Sequence, residues 1–309
     1  MQKPRRAPGD RRAPGDRHAL GEPPAPPSRN RPAHGDRAPL PTDATALAPL
    51  GAPFDRVLND ALAALDLELT PGMRAAIDAH ARLLLAWNRA VNLTAIRTPQ
   101  AVALEHVADS LAAVPLLLDH FATRRSRRRG LDMLDLGSGG GYPGLPVAIA
   151  VPAARAVLLD SIAKKTAFLA TAAVAAVEAL RSRGEEPPAM AARTGRAEEL
   201  ACGPDRDRWD LVTARAVAPL SRLIELGLPL VRSGGFLVAW QRDRGDGILA
   251  SAIATAEPVL VALGGAPRVE VIDPSIPGLD DHRLVVARKR RATPAAYPRR
   301  VPGKRPLIP

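Results

Sequence analysis

The sequence predicts an α/β protein: a mostly parallel sheet covered on both faces by helices, with a small helical region ahead of it. Two observations carry this. From residue 131 onward, short apolar runs at 131–136, 155–160, 189–194, 209–214, 234–240, 268–273 and 283–288 alternate with helix-like stretches. Such alternation builds parallel sheets buried on both faces. Between about 54 and 118 the apolar residues recur instead at helical spacing.

Taken in order, Phe54, Val57, Leu58, Ala61, Leu62 and Leu65 form one helical stripe. Thr70 followed by Pro71 opens a second helix, because a hydroxyl can cap the first turn and proline is preorganised at its first position. Met73, Ile77, Leu84 and Trp87 should face inward from it. Thr98 and Pro99 repeat the device for a third helix, expected to run through Val102, His106 and Leu111 towards Leu118. The last two apolar runs are joined by about ten residues rich in Pro, Gly and Asp, too short for a helical crossover, so they should pair antiparallel. The expected organisation is a disordered tail over 1–50, a helical subdomain over 51–122, the sheet domain over 123–288 and a basic tail over 289–309.

With 309 residues, 46% hydrophobic and 24% charged, the chain can bury an ordinary core. The single cysteine, Cys202, excludes a disulfide framework and a cysteine-cluster zinc site, and no metal is expected. The first thirty residues hold charges and prolines where a signal peptide needs an apolar run. We expect a cytoplasmic, monomeric protein with no membrane partner. Its net charge of +11 is unevenly placed: +5 over residues 1–40, +8 over 288–309, and therefore −2 between them. Within that near-neutral middle, Arg124, Arg125, Arg127, Arg128 and Arg129 form a further cluster. The opening Arg-Arg-Ala-Pro-Gly-Asp repeat carries too little apolar surface to fold by itself. Basic ends on a neutral body suit a polyanionic partner.

The run Leu131–Leu136 leads directly into Gly137-Ser-Gly-Gly-Gly-Tyr-Pro-Gly144, and a helical stretch follows. A glycine turn between a buried strand and a helix lets a nucleotide-like ligand lie against bare backbone. Starting at Gly139 the turn also spells G-x-G-x-x-G, so a nicotinamide reading is open, though such a match is weak by itself. Asp135 favours another ligand, because a carboxylate there suits the ammonium and sulfonium of S-adenosylmethionine. Gly139 and Gly141 would form the turn's floor, and Asp160, closing the second strand, could accept hydrogen bonds from both ribose hydroxyls. The alternative is that Asp160 merely caps the helix that follows it.

Asn92-Leu-Thr94, Glu105-His-Val-Ala-Asp-Ser-Leu111, Asp135 to Pro146, Leu159 to Leu169, Arg196-Ala-Glu-Glu199, Ala214-Arg-Ala216 and Thr293 to Pro306 stand in one order along the chain. That ordered set resembles the bacterial small-subunit ribosomal RNA guanine-N7 methyltransferases, the RsmG or GidB family. The resemblance implies a Rossmann-like class I S-adenosylmethionine-dependent methyltransferase sheet with an antiparallel last strand, and methyl transfer to N7 of a single guanine in 16S ribosomal RNA. The substrate would be that RNA or the small ribosomal subunit. It further implies that Gly137 and Tyr142 contact S-adenosylmethionine, that Ala197 and Glu198 lie beside its adenine, and that Arg215 faces its methionine end and the target base. Gln241 departs from the family's usual lysine, with Arg242 or Arg244 as possible stand-ins.

Guanine N7 carries a lone pair at neutral pH, so orientation suffices and no general base is expected. His106 and Asp109, three residues apart on one helical face, would either line the RNA-facing mouth or tie the helical region to the sheet. Lys164 and Lys165 open a helix, where cations are disfavoured by the helix dipole, which points to phosphate contact. Arg299 and Arg300 in the basic tail are further RNA candidates. A small-molecule methyltransferase, a nicotinamide-dependent oxidoreductase and a non-enzymatic RNA-binding module remain as alternatives.

Overall fold

The structure is a computed structural model and describes residues 39–122, 130–151 and 153–299. The repeat segment, the Arg124–Arg129 cluster and Arg300 lie outside the described residues.

Seven strands form one sheet in the order β3-β2-β1-β4-β5-β7-β6. They are β1 (Leu131–Leu136), β2 (Ala153–Asp160), β3 (Ala189–Thr194), β4 (Trp209–Arg215), β5 (Val231–Arg242), β6 (Glu270–Ile272) and β7 (His282–Arg288). The pairings from β3 through β5 are parallel, whereas β7 runs antiparallel to both β5 and β6. This is the mixed sheet that the sequence predicts, and each expected run is found as a strand.

The two faces follow from the two-residue period of a strand. Leu131 and Met133 of β1, Leu211 of β4, Phe236 and Val238 of β5 and Leu284 and Val286 of β7 belong to one core. The residues between them, including Leu134, Val212, Leu237, Ala239 and Val285, belong to the other. Helices α1 (Ala52–Ala64), α2 (Pro71–Val91), α5 (Val114–Ala122), α6 (Gly144–Ala150) and α7 (Ala163–Arg181) supply the first core. Helices α8 (Ala197–Ala201), α9 (Leu220–Gly227) and α10 (Ile248–Ala262) supply the second. The N-terminal helices therefore share a core with the sheet. Thr70 caps α2 by accepting from Met73 N at 3.1 Å, as its sequence signature predicts.

Three expectations are corrected. The fold begins earlier than residue 51: Trp87 Nε1 donates to Pro41 O at 2.7 Å, and Ala44 and Leu50 are buried. The third helix is not continuous. After α3 (Pro99–Ala101) the chain widens into a π-helical stretch, Val102–Ala108, and returns to α-geometry in α4 (Asp109–Leu111). The apolar stretch Pro99–His120 is long enough by composition to cross a bilayer, but 61% of its 18-residue apolar window is buried in the protein. Finally, the basic segment after β7 is docked. Lys289 is buried, with Nζ bonded to Asp207 and, at 2.8 Å, to Leu228 O, while Arg206 donates to Thr293 O and Tyr297 O at 2.7 and 2.8 Å.

Candidate functional site at the carboxyl ends of the strands

Period-two alternation also selects the residues that meet at the top of the sheet. Thr213 and Arg215 of β4, Trp240 of β5 and His282 of β7 share a face with Met133 and Asp135, and the register pairs Arg215 with Trp240 and Arg242 with His282. On that face they meet the π-helical stretch. Asp109, only 2% exposed, is the hub: Oδ2 accepts from Arg215 Nη1 at 2.6 Å and Oδ1 from His282 Nδ1 at 2.7 Å. Its main-chain carbonyl accepts from Trp240 Nε1 at 2.6 Å. Arg215 also donates to Glu105 O at 2.9 Å and to His106 Nδ1 at 2.9 Å. His106 Nδ1 is thus the acceptor, and Nε2–H donates to Thr94 Oγ1 at 2.7 Å. The neutral ring this requires agrees with burial and the Arg215 charge, which hold its pKa down at about 3.

His80 from α2 completes the wall. Its Nε2–H donates to Gly140 O at 2.8 Å, and burial lowers its pKa to about 4 against that hydrogen bond. Tyr142 is stacked between the two imidazoles, with centroids 4.4 Å from His80 and 4.6 Å from His106. Its hydroxyl is buried without a partner, and burial raises its pKa. Gly141 has a φ of 86°, and a Cβ there would come within 2.7 Å of His80 Nε2, so a side chain would break this wall. Gly137, at φ 65°, would likewise bring a Cβ within 2.8 Å of Val217.

Two cavities adjoin at Gly137. The larger, 660 Å³, is lined by Thr94, His106, Gly137 to Gly140, Tyr142, Lys165, Arg215, Gln241 and Arg242 among others. The smaller, 290 Å³, is lined by Gly137, Asp160, Ser161, Gly195, Ala197 and Glu198 with their neighbours. Most of the sequence-predicted cofactor residues are brought together here. Asp160 accepts from Gly139 N at 3.0 Å and Ile162 N at 2.9 Å, so one carboxylate both steadies the glycine turn and caps the chain entering α7.

Asp135 is one of two exceptions. It shares the inward face of β1 with Met133, is fully buried, and lines neither cavity. Oδ1 accepts from Thr213 Oγ1 at 2.7 Å and Oδ2 from Gly144 N at 3.2 Å, at the start of α6. Burial raises its pKa to about 6, against the hydrogen bonds from Ser138, Thr213 and Gly144. Its carboxylate holds the turn to α6 where a contact with cofactor cations was expected. Gly141 also lies behind the lining.

Of the expected RNA residues, Lys165 and His106 reach the larger cavity, and Lys164 is exposed outside its lining. Arg299 is corrected: its guanidinium binds the buried Glu225 at 2.8 Å. Gln241 lines the cavity, its amide turned back to Trp240 O at 3.0 Å, and Arg242 lines it while paired to Asp281. His80, Trp240 and His282 escaped the sequence reading. Strand alternation from Leu284 back to His282 offers a signal for the last, and no local pattern marks His80.

A family model described as rRNA small subunit methyltransferase G, GidB, matches residues 73–246. The chain belongs to the GidB family. Relatives within it include the ribosomal RNA small subunit methyltransferase G of Symbiobacterium thermophilum, 38% identical over 81% of this chain and 97% of that one. The protein of the same name from Roseiflexus castenholzii is 39% identical over 73% of this chain and 88% of its own. The GidB match spans the glycine turn, Asp160, Glu198 and Arg215, and takes in the smaller cavity's lining and all of the larger one's except His282.

Proposed function

We propose that the protein transfers a methyl group from S-adenosylmethionine to N7 of a guanine in the 16S ribosomal RNA of the small subunit. The observation that carries the reading is the pair of cavities meeting at Gly137 in a chain of the GidB family. The residues present suit this ligand. A bare glycine floor at 137–140 leads on one side to an acidic residue, Asp160, and the Ala197-Glu198 pair. On the other it leads to a wider space roofed by Arg215 and Tyr142.

Bound S-adenosylmethionine supplies an electrophilic methyl group on a sulfonium. Asp160 accepts hydrogen bonds from the ribose hydroxyls, and Ala197 and Glu198 flank the adenine. The larger cavity then holds the methionine end and the target base. The attacking N7 lone pair needs no deprotonation, so the chain's task is alignment. His80 and His106 remain neutral near pH 7, which keeps imidazolium charge away from a product ring that becomes cationic. Arg215, its charge balanced by Asp109, is held to clamp a carboxylate or guanine O6 without adding a bare positive charge. Lys164 and Lys165 contact RNA phosphates at the cavity's edge.

The test is mass-spectrometric mapping of methylated guanine in small-subunit RNA from cells with and without the gene, paired with methyl transfer by the purified protein. The reading requires one guanine to lose its N7 methyl when the gene is deleted, and its return with the purified protein. A small-molecule methyltransferase would leave the RNA map unchanged and bind RNA without steep salt dependence.

A further inference from the structure

The docked C-terminal segment reaches the smaller cavity through a chain of charges. Glu198, at the edge of that cavity, has a side chain about one-third exposed, and Arg222 Nη2 donates to its Oε1 at 2.8 Å. From the other prong of the same guanidinium, Nη1 donates to Glu225 Oε2 at 2.6 Å. Arg222 and Glu225 are three residues apart on α9, so the helix fixes their spacing. Glu225 is fully buried, and Arg299 closes on it with three donors: N at 2.9 Å, Nε at 2.8 Å and Nη2 at 2.8 Å. Burial opposes ionisation of Glu225, but these hydrogen bonds with those of Arg222 hold its pKa down at about 2.

A buried carboxylate needs its charge compensated. With Arg299 sharing that task, the planar fork of Arg222 can point one prong at Glu225 and the other at Glu198. We propose that Arg222 is a positioning residue for the cofactor's adenine end, acting through Glu198, and that Arg299 extends this control to the C-terminal segment. The proposal rests on the reading of Glu198 as the adenine-side residue. The segment after β7 is then part of the cofactor site's scaffold, 74 residues distant in sequence from the carboxylate it clamps.

The experiment is a double-mutant cycle on the full chain, with S-adenosylmethionine affinity measured by calorimetry and folding checked by thermal melting. Glu198→Gln, Arg222→Gln and Arg299→Gln should each weaken binding by roughly tenfold. Combining Arg222→Gln or Arg299→Gln with Glu198→Gln should weaken it no further than the worse single change, because all act through one carboxylate. Losses that multiply would overturn the proposal, as would wild-type affinity in Arg222→Gln. If Arg222→Gln does not fold, Arg222→Lys carries the same cycle, since an ammonium can neutralise Glu225 but cannot fork to both carboxylates. Unchanged affinity in Glu198→Gln would sink the adenine-side reading and the proposal together. A loss at Glu198 with none at Arg222 sinks the proposal alone.

Discussion

Replacing Asp135 by asparagine separates a scaffold residue from a ligand-binding one. The buried carboxyl has a pKa of about 6, against 3.8 for an ordinary aspartate. That difference corresponds to about 3 kcal/mol. The sign follows from which state takes up protons. Below about pH 4 Asp135 is protonated in both folded and unfolded chains and costs nothing. Between about 4 and 6 the unfolded chain ionises first, so stability falls, and above 6 the loss is complete. Asparagine can keep the local bonds, with its oxygen accepting from Gly144 N and its amide donating to Thr213 Oγ1, for a loss of about 1 kcal/mol in bond strength. Asp135→Asn should therefore be slightly less stable than wild type near pH 4 and about 2 kcal/mol more stable near pH 8. Urea unfolding followed by circular dichroism across that range reads the difference directly. A stability difference that does not change with pH would refute the buried-charge argument. A tenfold loss of S-adenosylmethionine affinity in the folded variant would show that the carboxylate reaches the ligand after all.

Other outcomes follow from the same geometry. Asp160→Ala should weaken S-adenosylmethionine binding by ~1 to 3 kcal/mol by calorimetry, because charge-assisted hydrogen bonds disappear. Arg215→Ala should abolish methyl transfer and destabilise the fold by about 3 kcal/mol, because Asp109 is left buried with less compensation; an intact melting temperature would contradict this. Ending the chain after Arg288 should cost more than about 3 kcal/mol of stability, since Glu225 loses Arg299 and Asp207 loses Lys289. Ending it instead after Arg299 removes only three cations, Arg300, Lys304 and Arg305, and should lower RNA affinity, with the salt slope falling by ~0.7 to 0.9 for each phosphate no longer neutralised.

The strands were legible because each is a short apolar run bounded by polar or glycine-rich turns, and the caps at Thr70 and Thr98 because capping chemistry is local. The glycine turn and Asp160 were legible for the same reason: strand, turn and helix are contiguous. What the sequence concealed depends on distant partners. A carboxylate at Asp135 looks equally suited to a ligand or to Gly144 and Thr213, and only the strand's facing decides. The basic residues after β7 read as an RNA-contacting tail because Asp207 and Glu225, which hold Lys289 and Arg299, lie far back in the chain. His80 carries no pattern at all, since its meaning lies in Gly140 and Tyr142, sixty and more residues away.

The widened helix at Val102–Ala108 bears on how this chain tolerates insertion and deletion. There Asp109 N–H reaches back five residues to Leu104 O, so the stretch holds one residue more than a regular helix would. Losing a single residue within it would restore an ordinary helix that still packs its apolar side. The helices on either side would keep their phase, because the wide turn absorbs the extra residue locally, and only the residues inside it would move. Glu105 and His106 lie inside the wide turn and Asp109 closes it, and all three hold Arg215. A change that the hydrophobic core would scarcely register would thus shift Glu105 and His106 against Asp109 and loosen the grip on Arg215, so one surplus residue is what lets all three reach it.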